Sequence, residues 1–317
     1  MRAVILREFG SPDALVPVEV PDPVAGPGQA LVDVRVANVT FVETQVRAGR
    51  PPHPSMAPAL PLVPGNGVGG TIAAVGPGVD PALVGTRVVS TTGGSGGYAE
   101  RAVVDAAGVI PVPDGVGLPE AVTLLADGRT AMALMRTAAV RPGETALVEA
   151  AGGGVGSLLV QLAAAAGARV VAAAGEARKL DLARALGAAA AVDYTRPGWP
   201  DEAGPADVAF DGVGGAVGRA AFELLRPGGR LLVFGLASGA FTQVTDEEAA
   251  ARGVTVARGM RLTPDDMAAL AAAALAEAAA GRLRPIVGQT FPLERAADAH
   301  AAIEARATLG RTLLVVS

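Results

Sequence analysis

The chain has 317 residues, 50% of them hydrophobic, 18% charged and 3% aromatic, with a net charge of −5 and no cysteine. That length asks for about two domains rather than one core, and the apolar share excludes general disorder. Without cysteine there is no disulfide framework, thiol nucleophile or thiolate ligand, and no Lys/Arg block offers a phosphate-tracking surface for nucleic acid.

The opening MRAVILREFG has too short an apolar run for a signal peptide. Ala3–Leu6 and Ala30–Val36 read as short strands of branched residues, with the Pro/Gly cluster PDPVAGPGQ between them. Pro51, Pro52, Pro54, Pro58, Pro61 and Pro64 make 51–64 an extended loop, because proline lacks a backbone donor. Thr71–Val75, Thr86–Ser90 and Tyr98–Val104 complete what reads as a small antiparallel, barrel-like domain. From Leu118 the pattern changes. Helices over Pro119–Leu134, Val155–Ala166, Ala177–Leu186 and Val217–Leu225 are interspersed with strands over Ala146–Glu149, Arg169–Ala173, Ala190–Asp193, Val208–Asp211, Arg230–Phe234 and Val254–Ala257. That alternation predicts a parallel sheet covered on both faces. Pro264–Ala280 reads as a long Ala-rich helix, with Asp265 and Asp266 in its first turn and Gly281 as its stop. Its apolar run is interrupted by Glu277 and is too short to cross a bilayer, so a cytoplasmic protein is expected. Arg284–Phe291, Leu293–Ala305 and Arg311–Val316 read as strand, helix and strand that rejoin the first domain.

The strongest local signal is ETALVEAAGGGVGSLLVQLAAAAGARVV, a strand running into a glycine turn that opens a helix. Leu158, Leu159, Leu162, Ala163 and Ala166 recur on one helical face. Gly153 and Gly156 fill the second and third glycine positions of a dinucleotide fingerprint, with Gly154 and Val155 between them and Ala151 in place of the first glycine. Such a turn brings backbone N–H groups to a pyrophosphate, and the helix N-terminus adds partial positive charge. The ribose is read at the end of the next strand, where an acid suits NAD and nearby cations suit the 2′-phosphate of NADP. Here Ala173 and Ala174 are uncharged, Gly175 follows, and Arg178 and Lys179 lie close behind. NADPH is therefore expected over NADH, with Glu176 as the complicating carboxylate.

Taken together, these segments resemble the medium-chain dehydrogenase/reductase superfamily, and within it the zinc-independent quinone oxidoreductase (zeta-crystallin-like) branch. The resemblance covers nearly the whole chain: MRAVILREFGSPDAL, VETQVRAG, LVPGNGVGGTIAAVGPGV, GGYAE, DGRTA, AAGGGVG, FDGVGG, LLRPGGRLLVFGLASG and GRTLLVV occur in the family's order. It implies an α/β protein with a GroES-like β-barrel domain at 1–120 and 264–317 and a Rossmann doubly wound parallel sheet at 121–263. The cofactor is then expected in the cleft between the domains, and a homodimer through Rossmann edge strands. The cofactor-binding residues implied are Gly153, Gly154, Val155, Gly156, Gly175, Arg178, Lys179, Tyr194, Val213, Phe234, Gly235, Gly259, Met260 and Arg311. Of these, Phe234–Gly235 and Gly259–Met260 are expected to border the nicotinamide.

Where zinc-dependent relatives hold their catalytic metal, this chain has Asn38, Asn66, Gly67 and Asp127, and the Cys-rich structural zinc lobe is missing. Zinc needs at least three protein ligands, so no metal is expected. His53 and His300 are expected to be surface or loop residues. Thr40 stands where the branch often has Asn, and Gln45 and Pro51 where it often has Tyr. The Tyr replaced by Pro51 resembles the proton donor of mitochondrial-type enoyl-thioester reductases. Without a metal to stabilise an alkoxide, the site suits a small-molecule hydride acceptor such as a quinone or electron-poor enone. Its developing oxyanion then needs hydrogen-bond donors or a cation. Thr40, Gln45, Thr130 and Arg261 are the candidates for that role. Arg47 fits the family motif with a structural role open, and Gln161 reads as helix packing. Two alternatives stand: an enoyl reductase acting on a thioester or natural-product intermediate, and an NADPH-binding protein with a sensing or RNA-binding role.

Overall fold

The computed structural model describes residues 1–260 and 262–317. Arg261, one of the oxyanion candidates, lies outside the described residues. The chain divides into two compact units: Met1–Ala126 with Ala271–Arg282 and Ile286–Ser317, and Asp127–Leu270 with Leu283–Pro285. Residues 121–126 thus group with the first unit, and 264–270 with the second, against the expected division at 120/121 and 263/264.

The first unit opens with β1 (Arg2–Leu6) paired antiparallel to β2 (Leu15–Glu19). The sequence does not predict β2, because Pro17 lacks a ladder donor. The strand is paired on one side only, in a two-stranded sheet, and proline is tolerated there. Next come β3 (Gln29–Val39), helix α1 (Phe41–Arg47), β4 (Gly67–Val75), β5 (Arg87–Thr91), β6 (Arg101–Asp105), β7 (Ile110–Pro111) and α2 (Leu118–Thr123). Helix α1 starts at a capping box: Thr40 Oγ1 accepts from the Glu43 amide at 3.1 Å, and Glu43 Oε2 accepts from the Thr40 amide at 2.6 Å. The helix predicted over Pro119–Leu134 is interrupted. A π turn over Leu124–Gly128 separates α2 from α3 (Arg129–Ala138).

The second unit carries β8 (Thr145–Glu149), β9 (Arg169–Ala174), β10 (Ala190–Asp193), β11 (Ala206–Asp211), β12 (Leu225–Val233) and β13 (Thr255–Arg258). These strands are all parallel, in the order β10-β9-β8-β11-β12-β13. Around them run α4 (Gly154–Ala165), α5 (Ala177–Ala185), α6 (Trp199–Ala203), α7 (Gly215–Glu223) and α8 (Asp246–Ala251). Strand β8 is buried at every residue, as a central strand of a parallel sheet should be. Leu147, Val171, Phe222 and Leu231 lie in its core, each contributing about 1.5–3 kcal/mol by leaving water.

Helix α9 (Pro264–Ala279) begins in the second unit and ends in the first, followed by β14 (Val287–Pro292), α10 (Ala296–Glu304) and β15 (Arg311–Val315). Strand β14 starts three residues after the predicted Arg284, past Pro285, whose ring nitrogen has no proton to give. Strand β15 lies between β14 and β3 in a sheet ordered β14-β15-β3-β4-β5-β7, with β6 also paired to β3. Val32, Val34, Val68, Ile72, Tyr98 and Leu314 pack its core. Among the described residues no helix is long and apolar enough to cross a membrane.

Candidate functional site

The strand order of the second unit reverses between β8 and β11, and open α/β sheets bind ligands at the C-terminal ends of such strands. Strand β8 exits through Ala150, held at φ +49° in the left-handed region that alanine seldom adopts. The chain then turns into α4 with Gly153 as N-cap, its amide bonded to the Ala150 carbonyl at 2.8 Å. Gly154, Val155 and Gly156 form the first turn, whose amides lack intrahelical acceptors. Close approach requires the glycines. A methyl on Gly156 would sit 2.2 Å from the Ala150 carbonyl oxygen, and one on Gly154 would sit 2.0 Å from Asp127 Oδ2. Bare amides and the dipole of a 12-residue helix make an anion cradle.

At the end of β9, Gly175 packs against the Tyr194 ring, 3.3 Å from where its Cβ would lie. The Glu176 carboxylate accepts from Lys179 Nζ at 2.8 Å and Arg178 Nε at 2.7 Å. The Lys179 and Arg178 hydrogen bonds hold this carboxyl below its usual range. The acid that would repel a phosphate is therefore outnumbered by two cations bound to it. The Lys179 stem also lies over the glycine turn, since a methyl on Gly152 would meet Lys179 Cβ at 2.6 Å. The glycine turn and Lys179 thus pack as one assembly.

Other cofactor candidates gather at the ends of β11, β12 and β13. The Val213 amide donates to Glu149 Oε2 at 3.1 Å. The Phe234 and Gly235 amides both donate to the Asp211 carbonyl, at 3.0 and 3.1 Å, and the Gly259 amide donates to the Val233 carbonyl at 3.1 Å. Met260 follows, half-buried, and Thr130 is half-buried in the first turn of α3. Gln161 donates to the Ser157 and Arg284 carbonyls and accepts from the Arg284 amide, which is packing. Sequence reasoning missed Glu149 and Asp211, two fully buried carboxyls at this same strand edge. Burial, then the neighbouring Asp211 charge, pushes the Glu149 carboxyl well above its ordinary value.

In the first unit, Thr40 and Gln45 lie at α1, where Gln45 Nε2 donates to Thr44 Oγ1 at 3.2 Å. Glu43 Oε1 accepts from the Asn66 amide at 2.8 Å, and burial raises its carboxyl despite the donors around it. Arg311 belongs to this unit too. It donates to the Val39 carbonyl at 3.1 Å, and its charge acts on Glu43 and Tyr98. The expectation that His300 is a surface or loop residue is wrong. It is fully buried in α10 with Nε2 3.0 Å from the Tyr98 hydroxyl. Burial, aided by the Arg47 charge, lowers His300 to about 3. His53 is exposed and caps a single turn at Pro54–Met56. Arg47 is buried and binds the Gly10 carbonyl and the Glu304 carboxylate, a structural tie. Asn38 is buried beside Gly67, where a Cβ would lie 2.6 Å from Asn38 Nδ2.

Two family models match the chain: an alcohol dehydrogenase GroES-like domain over residues 26–114 and a zinc-binding dehydrogenase domain over residues 154–277. A quinone oxidoreductase of Pseudomonas aeruginosa is 31% identical over 97% of this chain and 97% of its own length. A 2-haloacrylate reductase of a Burkholderia species is 30% identical over 99% of this chain and 98% of its own. The solved structure of Escherichia coli quinone oxidoreductase with NADPH matches at a TM-score of 0.91 and 27% identity, covering 99% of this chain and 100% of that one. The likeness runs end to end, through both units and the glycine turn alike, and the chain belongs to the quinone oxidoreductase branch of the medium-chain dehydrogenase/reductase superfamily.

Proposed function

We propose that the chain is an NADPH-dependent oxidoreductase that works without zinc and reduces quinones. The carrying observation is the packing of Lys179 over the glycine turn at the N-terminus of α4, on a scaffold like that of a quinone oxidoreductase solved with NADPH. The residues fit the cofactor. The amides of Gly154, Val155 and Gly156 would hold its pyrophosphate, and Lys179 and Arg178 its 2′-phosphate. Bound there, NADPH supplies the hydride. Asn38 and Asn66 present neutral amides where zinc-dependent relatives present metal ligands, and amides are weak zinc donors.

The chain's own residues act by donation. The Thr40 hydroxyl oxygen is engaged by the Glu43 amide, which leaves its proton to bind a developing oxyanion. Gln45 has a second amide proton besides the one given to Thr44, and Thr130 and Arg261 are assigned to the same task. A quinone that takes hydride and one solvent proton leaves as hydroquinone. The test is NADPH oxidation with 1,4-benzoquinone, 9,10-phenanthrenequinone and crotonyl-CoA. Turnover with either quinone supports the reading. Turnover with the thioester alone moves it to a polarised C=C bond, the reading favoured by the 2-haloacrylate reductase relative. Tight NADPH binding without any turnover supports a non-catalytic role. We place the protein in the cytoplasm as a homodimer joined through an edge strand of the parallel sheet, β10 or β13, which light scattering would test.

A further inference from the structure

We propose that Glu149 and Asp211 share one proton beneath the nucleotide crevice, with Glu149 as the acid, and that this proton holds the 211–214 turn in its binding shape. The two side chains leave the sheet at the C-terminal ends of β8 and β11, one residue beyond the paired Val148 and Phe210. Both are fully buried. Each Asp211 oxygen has a donor and keeps room for another: Oδ1 accepts from the Gly214 amide at 2.7 Å and Oδ2 from the Thr242 hydroxyl at 2.5 Å. Helix α7 closes over it at Gly218, where a methyl would lie 1.9 Å from Thr242 Oγ1 and 2.5 Å from Asp211 Oδ2. Glu149 is half-satisfied. Oε2 accepts from the Val213 amide at 3.1 Å, while Oε1 is buried with no donor.

A buried carboxylate oxygen without a donor is costly, and the Asp211 carboxyl on the adjacent strand adds repulsion. One proton removes both faults. Placed on Oε1, it turns an orphan acceptor into a donor towards Asp211 and leaves a single negative charge on the pair. The groups facing Glu149 are then accounted for: Asp211 from β11, the Val213 amide from the following turn, and the uncharged Ala173 paired to it on β9. Loss of the proton would set two charges against each other under Val213 and Gly214, whose amides the two carboxyls hold. Glu149 is thus a positioning residue. If the nucleotide reading above holds, the phosphates of NADPH favour the protonated pair, so binding takes up a proton when the pair has lost it and weakens as pH rises.

The full-length protein tests this in two ways. Infrared difference spectra at neutral pH, in water and deuterium oxide, should show a protonated-carboxyl C=O stretch that disappears in Glu149→Gln. Should that variant fold poorly, Asp211→Asn serves instead: burial keeps Glu149 protonated, but a neutral amide replaces the charged acceptor of its proton, so the band should remain and shift in frequency. Absence of the band in the wild type, its persistence in folded Glu149→Gln, or an unshifted band in folded Asp211→Asn overturns the shared proton. NADPH affinity of the wild type should fall as alkaline pH removes the pair's proton, and that of Glu149→Gln should fall by less over the same range. Equal falls in both, or none in the wild type, overturn the link to binding. Absence of NADPH binding at every pH would instead refute the cofactor assignment and leave the infrared result to judge the pair.

Discussion

Replacing Gly156 by alanine tests the cradle directly. The added methyl would lie 2.2 Å from the Ala150 carbonyl oxygen, 2.8 Å from its carbon and 2.9 Å from Ala151 Cα. The first approach is about 1.3 Å inside the ~3.5 Å optimum for carbon contacts. All three atoms are backbone, so no side chain can swing aside, and Ala150 already occupies a strained φ. The turn must therefore move away from α4 by roughly 1 Å. Overpacking of this kind costs about 1–3 kcal/mol, and a 1 Å misplacement of positioned groups can cost about a hundredfold where geometry decides the interaction. NADPH affinity should fall at least about tenfold, with Tm lowered by several degrees. Fluorescence titration and differential scanning fluorimetry give both values. Gly108→Ala is the control, since a Cβ there meets nothing within 4 Å. Wild-type NADPH affinity and Tm in Gly156→Ala would refute the reasoning.

Lys179→Ala removes a charge-assisted contact worth about 1.5–3 kcal/mol, so NADPH should weaken at least about tenfold and NADH less than about threefold; equal losses would remove Lys179 from the phosphate site. Thr40→Ala should lose about 1 kcal/mol of cap energy and about tenfold in quinone turnover, with Thr40→Ser restoring both. Restored stability without restored turnover would leave Thr40 only its capping role. Because His300 is held neutral, with its value lowered from 6.5 to about 3, the unfolded chain binds one more proton between those values. Stability should therefore drop as pH falls through that window, by up to about 1.4 kcal/mol per unit. His300→Gln should flatten this acid limb in urea titrations, and an unchanged slope would refute the assignment.

What could be read in the sequence was local. Strand Thr145–Glu149, the glycines and helix α4 are contiguous, and their chemistry depends on neighbours a few residues apart. The pairing of Glu149 with Asp211 was not legible, because only the reversal of strand order sets β8 beside β11. Tyr98 and His300, 202 positions apart, meet only once α10 packs on the first sheet, so neither residue type alone announced the contact. Two features were visible but unread. Thr40–Glu43 and Thr245–Glu248 both carry the T-x-x-E spacing of a capping box, and each starts a helix that hydrophobic periodicity was too short to reveal.

Strand β15 has a further consequence. It follows every other strand of its sheet in the chain, yet it fills the slot between β14 and β3. The parallel sheet, by contrast, is complete once residue 258 has been synthesised. During translation the nucleotide-holding unit can therefore assemble while the other still lacks an inner strand, with the β3 edge open to any extended segment nearby. Strand β15 acts as a latch on the first sheet, and a chain cut before Arg311 should reveal itself first as aggregation of nascent chains.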